Sequence, residues 1–221
     1  MNKYSVFNGM NTSERVSLYK TLEADERVFK RAETILSFSP ESYETCIILE
    51  GLAYLVSINN SGEENIIDYY EAGSIFGSRL SPNTNVNLYN VTAKKHCSVL
   101  FFDHSKIVES YKGNCNAHQK FINNVITACS CRNQIHIDIL SQRTIRDKLL
   151  TYFGYLYEIY ESKELKLPVP LSDLAGYICA DRSAMMRELK KLNNENIISS
   201  KGKTVKLLYI NIGEKPFSCE K

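Results

Sequence analysis

The run from Leu171 to Leu192, LSDLAGYICADRSAMMRELKKL, constrains the fold of this chain more than any other. Its spacing predicts two short helices around a tight turn at Cys179-Ala180. Ser172 is placed to cap the first helix, because its hydroxyl can accept a backbone N–H that has no partner in the first turn. Leu174, Ala175 and Ile178 then share one apolar side. Asp181 caps the second helix, whose inward face is Ala184 or Met185, followed by Met186, Leu189 and Leu192. Arg182, Ser183, Arg187, Lys190 and Lys191 are left facing outward. A short capped helix with arginines at its exposed start and middle suits the DNA major groove, where one guanidinium can bond guanine O6 and N7 together. Two helices of an ordinary core with a solvated charged face carry the same local pattern, so the flanking residues must decide.

Downstream, residues 197–210 (IISSKGKTVKLLYI) predict two short strands about the basic turn Lys201-Gly202-Lys203. Two helices followed directly by a basic hairpin make a winged helix–turn–helix. The residues Leu174-Ala175, Asp181-Arg182-Ser183, Arg187 with Leu189, Leu192, Ile197-Ile198 and Gly202-Lys203-Thr204 carry a resemblance. On them, the run 171–208 resembles the DNA-binding domain of the CRP/FNR family (cyclic-AMP receptor protein and fumarate–nitrate regulator) of bacterial transcription factors. The resemblance implies double-stranded DNA as the partner, with Arg182 and Arg187 on operator bases and backbone. Ser172, Asp181, Ser183, Lys190 and Lys203 complete the contact set it implies. Ser183 stands where many members carry a glutamate that accepts from cytosine, a departure that bears on the operator sequence.

Charge agrees with this placement. The net charge of +2 is too small to identify a partner, but residues 163–221 hold eleven Lys/Arg against seven Asp/Glu. That local excess of +4 sits in the segment with the helix–turn–helix, where phosphate contacts would need it. The 221 residues suffice for two modest domains, and 43% hydrophobic with 24% charged residues argues against disorder. No apolar run approaches twenty residues and the first nine lack the apolar core of a signal peptide, so a cytoplasmic protein without a membrane partner is expected. Seven cysteines are scattered, and only Cys129-Ser130-Cys131 forms a close pair, which is not zinc or iron–sulfur spacing. Some CRP/FNR members ligate iron–sulfur through an N-terminal cysteine cluster, whereas here no cysteine precedes Cys46. His96, His104, His118 and His136 show no metal-type spacing and are expected at the surface or hydrogen-bonded.

Along the chain, residues 12–25 read as a short polar helix capped by Thr12 or Ser13. From Arg27 to Phe102 short β-rich runs alternate with turns: Ile47–Leu49, the Glu50-Gly51 turn, Leu52–Ile58, the hairpin signal Asn59-Asn-Ser-Gly62, Ile66–Tyr70, and Ser98–Phe102. Many short strands without crossover helices predict an antiparallel β-roll or jelly roll. Leu49-Glu50-Gly51, Ser61-Gly62-Glu63 and Ala72-Gly73-Ser74-Ile75-Phe76-Gly77 resemble the cyclic-nucleotide-binding-like sensor domain of the same family. Nucleotide-binding members follow that Phe-Gly with a glutamate for the ribose and, about ten residues on, an arginine for the phosphate. Here Ser78-Arg79 follows, and residues 83–90 contain no basic residue. A buried phosphate without a cation is costly, so cyclic AMP is rejected as the effector.

Residues 115–140 predict a long helix with Phe121, Ile122, Val125, Ile126 and Cys129 as a two-column apolar stripe. The resemblance implies that this helix pairs with its twin in a homodimer. It also places Cys129 and Ser130 where nucleotide-binding members reach the adenine. With Gly77, Ser78, Arg79 and Asn87, these make the expected effector pocket for an unidentified small molecule. Lys163-Glu-Leu-Lys-Leu-Pro-Val-Pro170 makes a connection that ends at the helix–turn–helix, and its two prolines bar helix and predict extended chain.

The expected architecture is α+β: an antiparallel β-roll sensor over 1–112, a dimerisation helix and hinge over 113–140, and a winged-helix DNA-binding domain over 141–221. The expected function is a DNA-binding regulator on a pseudo-palindromic operator, with RNA polymerase as a further partner. No catalytic residue, metal or cofactor is expected. Two rivals stand beside it. A cupin-like metal-dependent enzyme would need histidines and a carboxylate on neighbouring strands, and a ligand-independent regulator would use its roll only to hold the dimer.

Overall fold

Alternation along the strands decides which side chains meet in the first half of the chain. The computed structural model describes residues 4–39, 41–59, 62, 64–77, 80, 88–109 and 116–208. It divides into two units, Met1–Gln134 and Ile135–Lys221. The first holds two four-stranded antiparallel sheets. One has the order β1-β8-β3-β6, built from Asp25–Phe29, Cys97–Asp103, Glu44–Glu50 and Ile75–Gly77. The other has the order β2-β7-β4-β5, built from Thr34–Ser37, Leu88–Ala93, Leu52–Ile58 and Glu64–Glu71. Strand side chains alternate between faces. Cys46, Ile48, Phe76, Val99 and Phe101 therefore point to one side, where they meet Ala53, Leu55, Tyr70, Val91 and Ala93 of the second sheet. Ile47, Ile75, Leu100 and Phe102 point to the other side and pack against helices. Every expected strand run is present, in a jelly-roll-like antiparallel arrangement.

The turn at Gly51 depends on its lack of a side chain. Its φ is +107°, and a Cβ there would lie 2.3 Å from the His96 carbonyl oxygen and 2.7 Å from Cys97 Sγ. Only glycine combines that backbone region with so close an approach.

Helices close the outer face of the first sheet. Helix α1 spans Thr12–Thr21, and its cap is Asn11 rather than Thr12 or Ser13. Asn11 Oδ1 accepts from the Glu14 amide at 2.9 Å while Glu14 Oε2 accepts from the Asn11 amide at 2.7 Å. That reciprocal pair needs a spacing of three, which favours Asn11 over its neighbours. The helix ends four residues before the expected limit because Asp25 is already paired in β1 with Phe101. A short helix α2, Ser105–Glu109, leads to α3, Asn116–Ser141.

The stripe on α3 divides. Ala117, Phe121, Val125 and Ala128 are buried against the first sheet and α1, whereas Ile126 is 60% exposed. The N-terminal segment fixes this rotation, since Asn124 Nδ2 donates to the carbonyls of Val6 and Asn8 at 3.0 and 2.9 Å. Ile126, Ser130, Asn133, Ile137 and Leu140, spaced four, three, four and three apart, form one exposed face.

The second unit contains α4 (Ile145–Tyr160), α5 (Leu171–Tyr177) and α6 (Arg182–Asn194). A three-stranded sheet of order β10-β11-β9 completes it, from Ile198–Lys201, Thr204–Leu207 and Glu164–Lys166. The expected hairpin is β10–β11. The connection expected to be merely extended supplies β9 as a third strand, with Leu165, Leu167 and Val169 buried.

Candidate nucleic-acid interface

The geometry of α5, the turn and α6 starts from local hydrogen bonds. Asp181 caps α6 by accepting from the Ala184 amide at 2.7 Å, as its position predicts. Cys179 adopts φ +49°, which turns the chain between the helices, and the Ala180 amide returns to the Ala175 carbonyl at 2.9 Å. Leu174, Ala175 and Ile178 are buried as expected. Ser172 is not the cap of α5. Pro170 occupies that position without a side-chain bond, and the Ser172 hydroxyl donates to Asp173 Oδ1 at 2.7 Å. The helix starts two residues earlier than a Ser172 cap would require because Pro170, at φ −60° and ψ 149°, is already set as the entry residue.

On α6 the buried face is Met185, Leu189 and Leu192. Met186, expected inward, is 45% exposed, because a turn of about 100° per residue carries it past the buried stripe. It joins Arg182, Ser183, Arg187, Lys190 and Lys191 on the outer side. Among the described residues, Arg182, Arg187, Lys190, Lys201 and Lys206 form no ion pair, so their charges are uncompensated. Lys191 does pair, with Glu188 at 3.2 Å. Lys203, in the hairpin turn, is half-buried and its Nζ donates to the Pro168 carbonyl at 3.4 Å.

Residues that sequence spacing does not reveal hold this face in place. Lys148 Nζ on α4 donates to the carbonyls of Ile178 and Cys179, at 3.0 and 3.4 Å, satisfying the end of α5. His136 stacks on Tyr177 at 4.9 Å and 7°, and its Nε2 donates to the Tyr177 carbonyl at 3.2 Å. Arg146 binds Glu188 and Glu195 of α6 and its cap, so the Glu195 carboxyl is held below its ordinary range by the Arg146 hydrogen bond. Asn193 Nδ2 donates to Ser200 Oγ at 2.9 Å while its Oδ1 accepts from the Ser200 amide at 2.8 Å, joining α6 to β10. These partners lie up to 49 residues apart or pair polar groups of common types, so no local motif marks them.

Of the expected effector set, Gly77 ends β6, where a Cβ would meet the Glu44 carbonyl oxygen at 2.7 Å. Ser78, Arg79 and Asn87 lie outside the described residues. Cys129 packs against the core beneath α3, and its thiol is pushed up by burial, while Ser130 is exposed. Arg132, also on α3, hydrogen-bonds to β5 and the turn after it. Its Nη1 donates to Asp68 Oδ2 at 2.8 Å and to the Tyr69 carbonyl at 2.7 Å, and its Nη2 to Ser74 Oγ at 3.2 Å. Its guanidinium also stands 5.0 Å from the centre of the Tyr70 ring.

His118 is buried and hydrogen-bonded, the second of the two expected outcomes, with only one ring nitrogen engaged. It is 2% exposed, with Nε2 donating to the Ile107 carbonyl at 2.9 Å and Nδ1 unpaired. Among the described residues no group of three His, Cys, Asp or Glu is placed to hold a metal ion, and no helix is long and apolar enough to cross a membrane.

Residues 26–114 match the family model of the cyclic nucleotide-binding domain. No curated protein matches the sequence. Solved structures do match in fold. A CooA variant from Carboxydothermus hydrogenoformans is 14% identical, with a TM-score of 0.69 over 95% of this chain and 92% of that one. A cyclic nucleotide-binding domain containing protein from Listeria monocytogenes is 15% identical, with 0.69 over 88% and 97%. FixK2 from Bradyrhizobium japonicum is 16% identical, with 0.63 over 83% and 92%.

Proposed function

We propose, from the match of residues 26–114 to the cyclic nucleotide-binding domain and from the shared fold, that the chain is a homodimeric, sequence-specific DNA-binding regulator of the CRP/FNR type. In this reading α5, the turn at Cys179, α6 and the β10–β11 hairpin are a winged helix–turn–helix. The observation that carries it is the outer face of α6. Arg182, Arg187 and Lys190 are exposed and without ion pairs, on a helix whose entry is capped and whose far end is tied to a basic hairpin. Uncompensated cations at fixed spacing suit phosphates and guanine edges. Exposed Met186, between them, offers an apolar contact to a thymine methyl. Ser172, Asp181 and Lys203 flank that face, although the hydroxyl of Ser172 and the carboxylate of Asp181 are engaged locally.

The exposed seam of α3 supports the dimer. Ile126, Ile137 and Leu140 recur at coiled-coil spacing, and a twin helix would bury them. Two-fold symmetry implies a pseudo-palindromic operator with half-sites about one helical turn apart. RNA polymerase is the further partner such a regulator requires.

Selection of random duplex DNA on the purified protein tests the reading. One palindrome is expected, with affinity falling as salt rises because bound phosphates release counterions. Arg187→Ala should weaken that operator by about 1–3 kcal/mol and relax one base position. Recovery of no preferred sequence, with or without cell metabolites, would refute it.

A further inference from the structure

The inference drawn here rests on the regulator reading and concerns what holds α3 against the strands. Asp68 and Ser74 are each 7% exposed, so their polar atoms are removed from water. Asp68 Oδ1 accepts from the Tyr69 amide at 2.7 Å, and Oδ2 from Arg132. Ser74 Oγ accepts both from the Glu71 amide at 3.1 Å and from Arg132. The carboxylate, the hydroxyl and the Tyr69 carbonyl thus form one receptor on β5 and the turn after it, and a single guanidinium from α3 fills it.

The same guanidinium covers the Tyr70 ring, and Tyr70 stacks on Phe76 at 4.6 Å and 19°. Phe76 lies between the two sheets and directly precedes Gly77. A continuous path of contacts therefore runs from the interior of the β unit to α3. Arg132 stands three residues before Ile135, where the second unit begins, and α3 continues unbroken to Ser141.

This partly buried ion pair adds little net stability over an apolar pair of the same shape, but the planar fork of the guanidinium makes its hydrogen bonds directional. We infer that Arg132 and Asp68 form an intramolecular latch that fixes α3 against β5 and the turn after it, and that DNA binding depends on this latch. Arg132 is in this sense a positioning residue, since it acts on DNA through α3.

Hydrogen exchange on the full chain tests the latch directly, and operator affinity in effector-free buffer tests its consequence. Arg132→Gln and Asp68→Asn should each raise exchange of the α3 amides from Phe121 to Gln134 by roughly tenfold and lower operator affinity by a similar factor. Arg132→Lys keeps the charge but loses the fork, and should fall between these and the parent. The reciprocal pair Asp68→Arg with Arg132→Asp reverses the bridge and guards against loss of fold in the single variants.

Faster α3 exchange in Arg132→Gln, partly restored in the lysine variant or the reciprocal pair, supports the latch. Exchange and affinity within twofold of the parent in every variant would overturn it. Full operator affinity in variants whose α3 exchanges faster would overturn it too. If the parent selects no operator, the regulator reading fails, and exchange alone still decides whether Arg132 and Asp68 pin the helix.

Discussion

Asp181 performs two tasks at one position, which makes its substitution informative. It caps α6 through the Ala184 amide, and it precedes the two residues proposed to enter the groove. Asp181→Ala should cost about 1 kcal/mol of stability, measured by urea denaturation, because the amide loses its side-chain acceptor. Asp181→Ser should recover most of that loss. Cysteine reactivity separates along the chain on similar grounds. Burial pushes the thiols of Cys46 and Cys97 up, away from the thiolate that reacts, whereas Cys179 is exposed. Iodoacetamide on the native protein should label Cys179 and leave Cys46 and Cys97 intact until denaturant is added. Early labelling of Cys46, read by peptide mass, would contradict its burial.

At the scale of the element, α4 and α6 are joined by Arg146 with Glu188 and Glu195. The Glu195 carboxyl is lowered chiefly by its hydrogen bond from Arg146, so its folded-state value lies below that of the unfolded chain. Its contribution is therefore complete above the unfolded value of 4.5 and is lost as pH falls through the lowered one. Arg146→Gln should flatten the acid side of the stability profile while leaving the shape near neutrality unchanged. Solvent screens this exposed pair, so high salt should shrink the difference. The β3–β4 turn responds differently. Gly51→Ala adds a Cβ into the His96 carbonyl and forces a strained φ, so a clear drop in melting temperature is expected, in contrast to a surface change such as Val16→Ala.

For the molecule as a whole, the proposed dimer would couple the exposed α3 seam to the α6 face through its two-fold symmetry. Ile137 is 60% exposed in the single chain, and an unpaired seam of this spacing leaves apolar surface in water. Ile137→Glu should shift the protein from dimer to monomer in sedimentation at micromolar concentration. Operator affinity should fall with it, since one half-site then binds alone. A variant that stays dimeric would place the two-fold contact elsewhere.

Local pattern alone predicted the strand runs, the helix–turn–helix with Asp181 as cap, the long helix and the basic hairpin, because each depends on residues within a turn or two of one another. Apolar spacing and turn residues sufficed for the antiparallel strands and the helices, whereas the family resemblance rested on particular motif residues such as Leu49-Glu50-Gly51 and Ala72–Gly77. Tertiary structure decided what depends on distant partners. The rotation of α3 was set by Asn124 on the carbonyls of Val6 and Asn8, which exposed Ile126. Strand β9 exists because β11 pairs with it from some forty residues downstream. The cap of α5 went to Pro170, leaving Ser172 bonded to Asp173. Arg132 finds Asp68 across 64 residues, a pairing that no periodicity encodes. Periodicity tells a side chain which face of its own element it occupies, and only the packed chain determines what stands opposite.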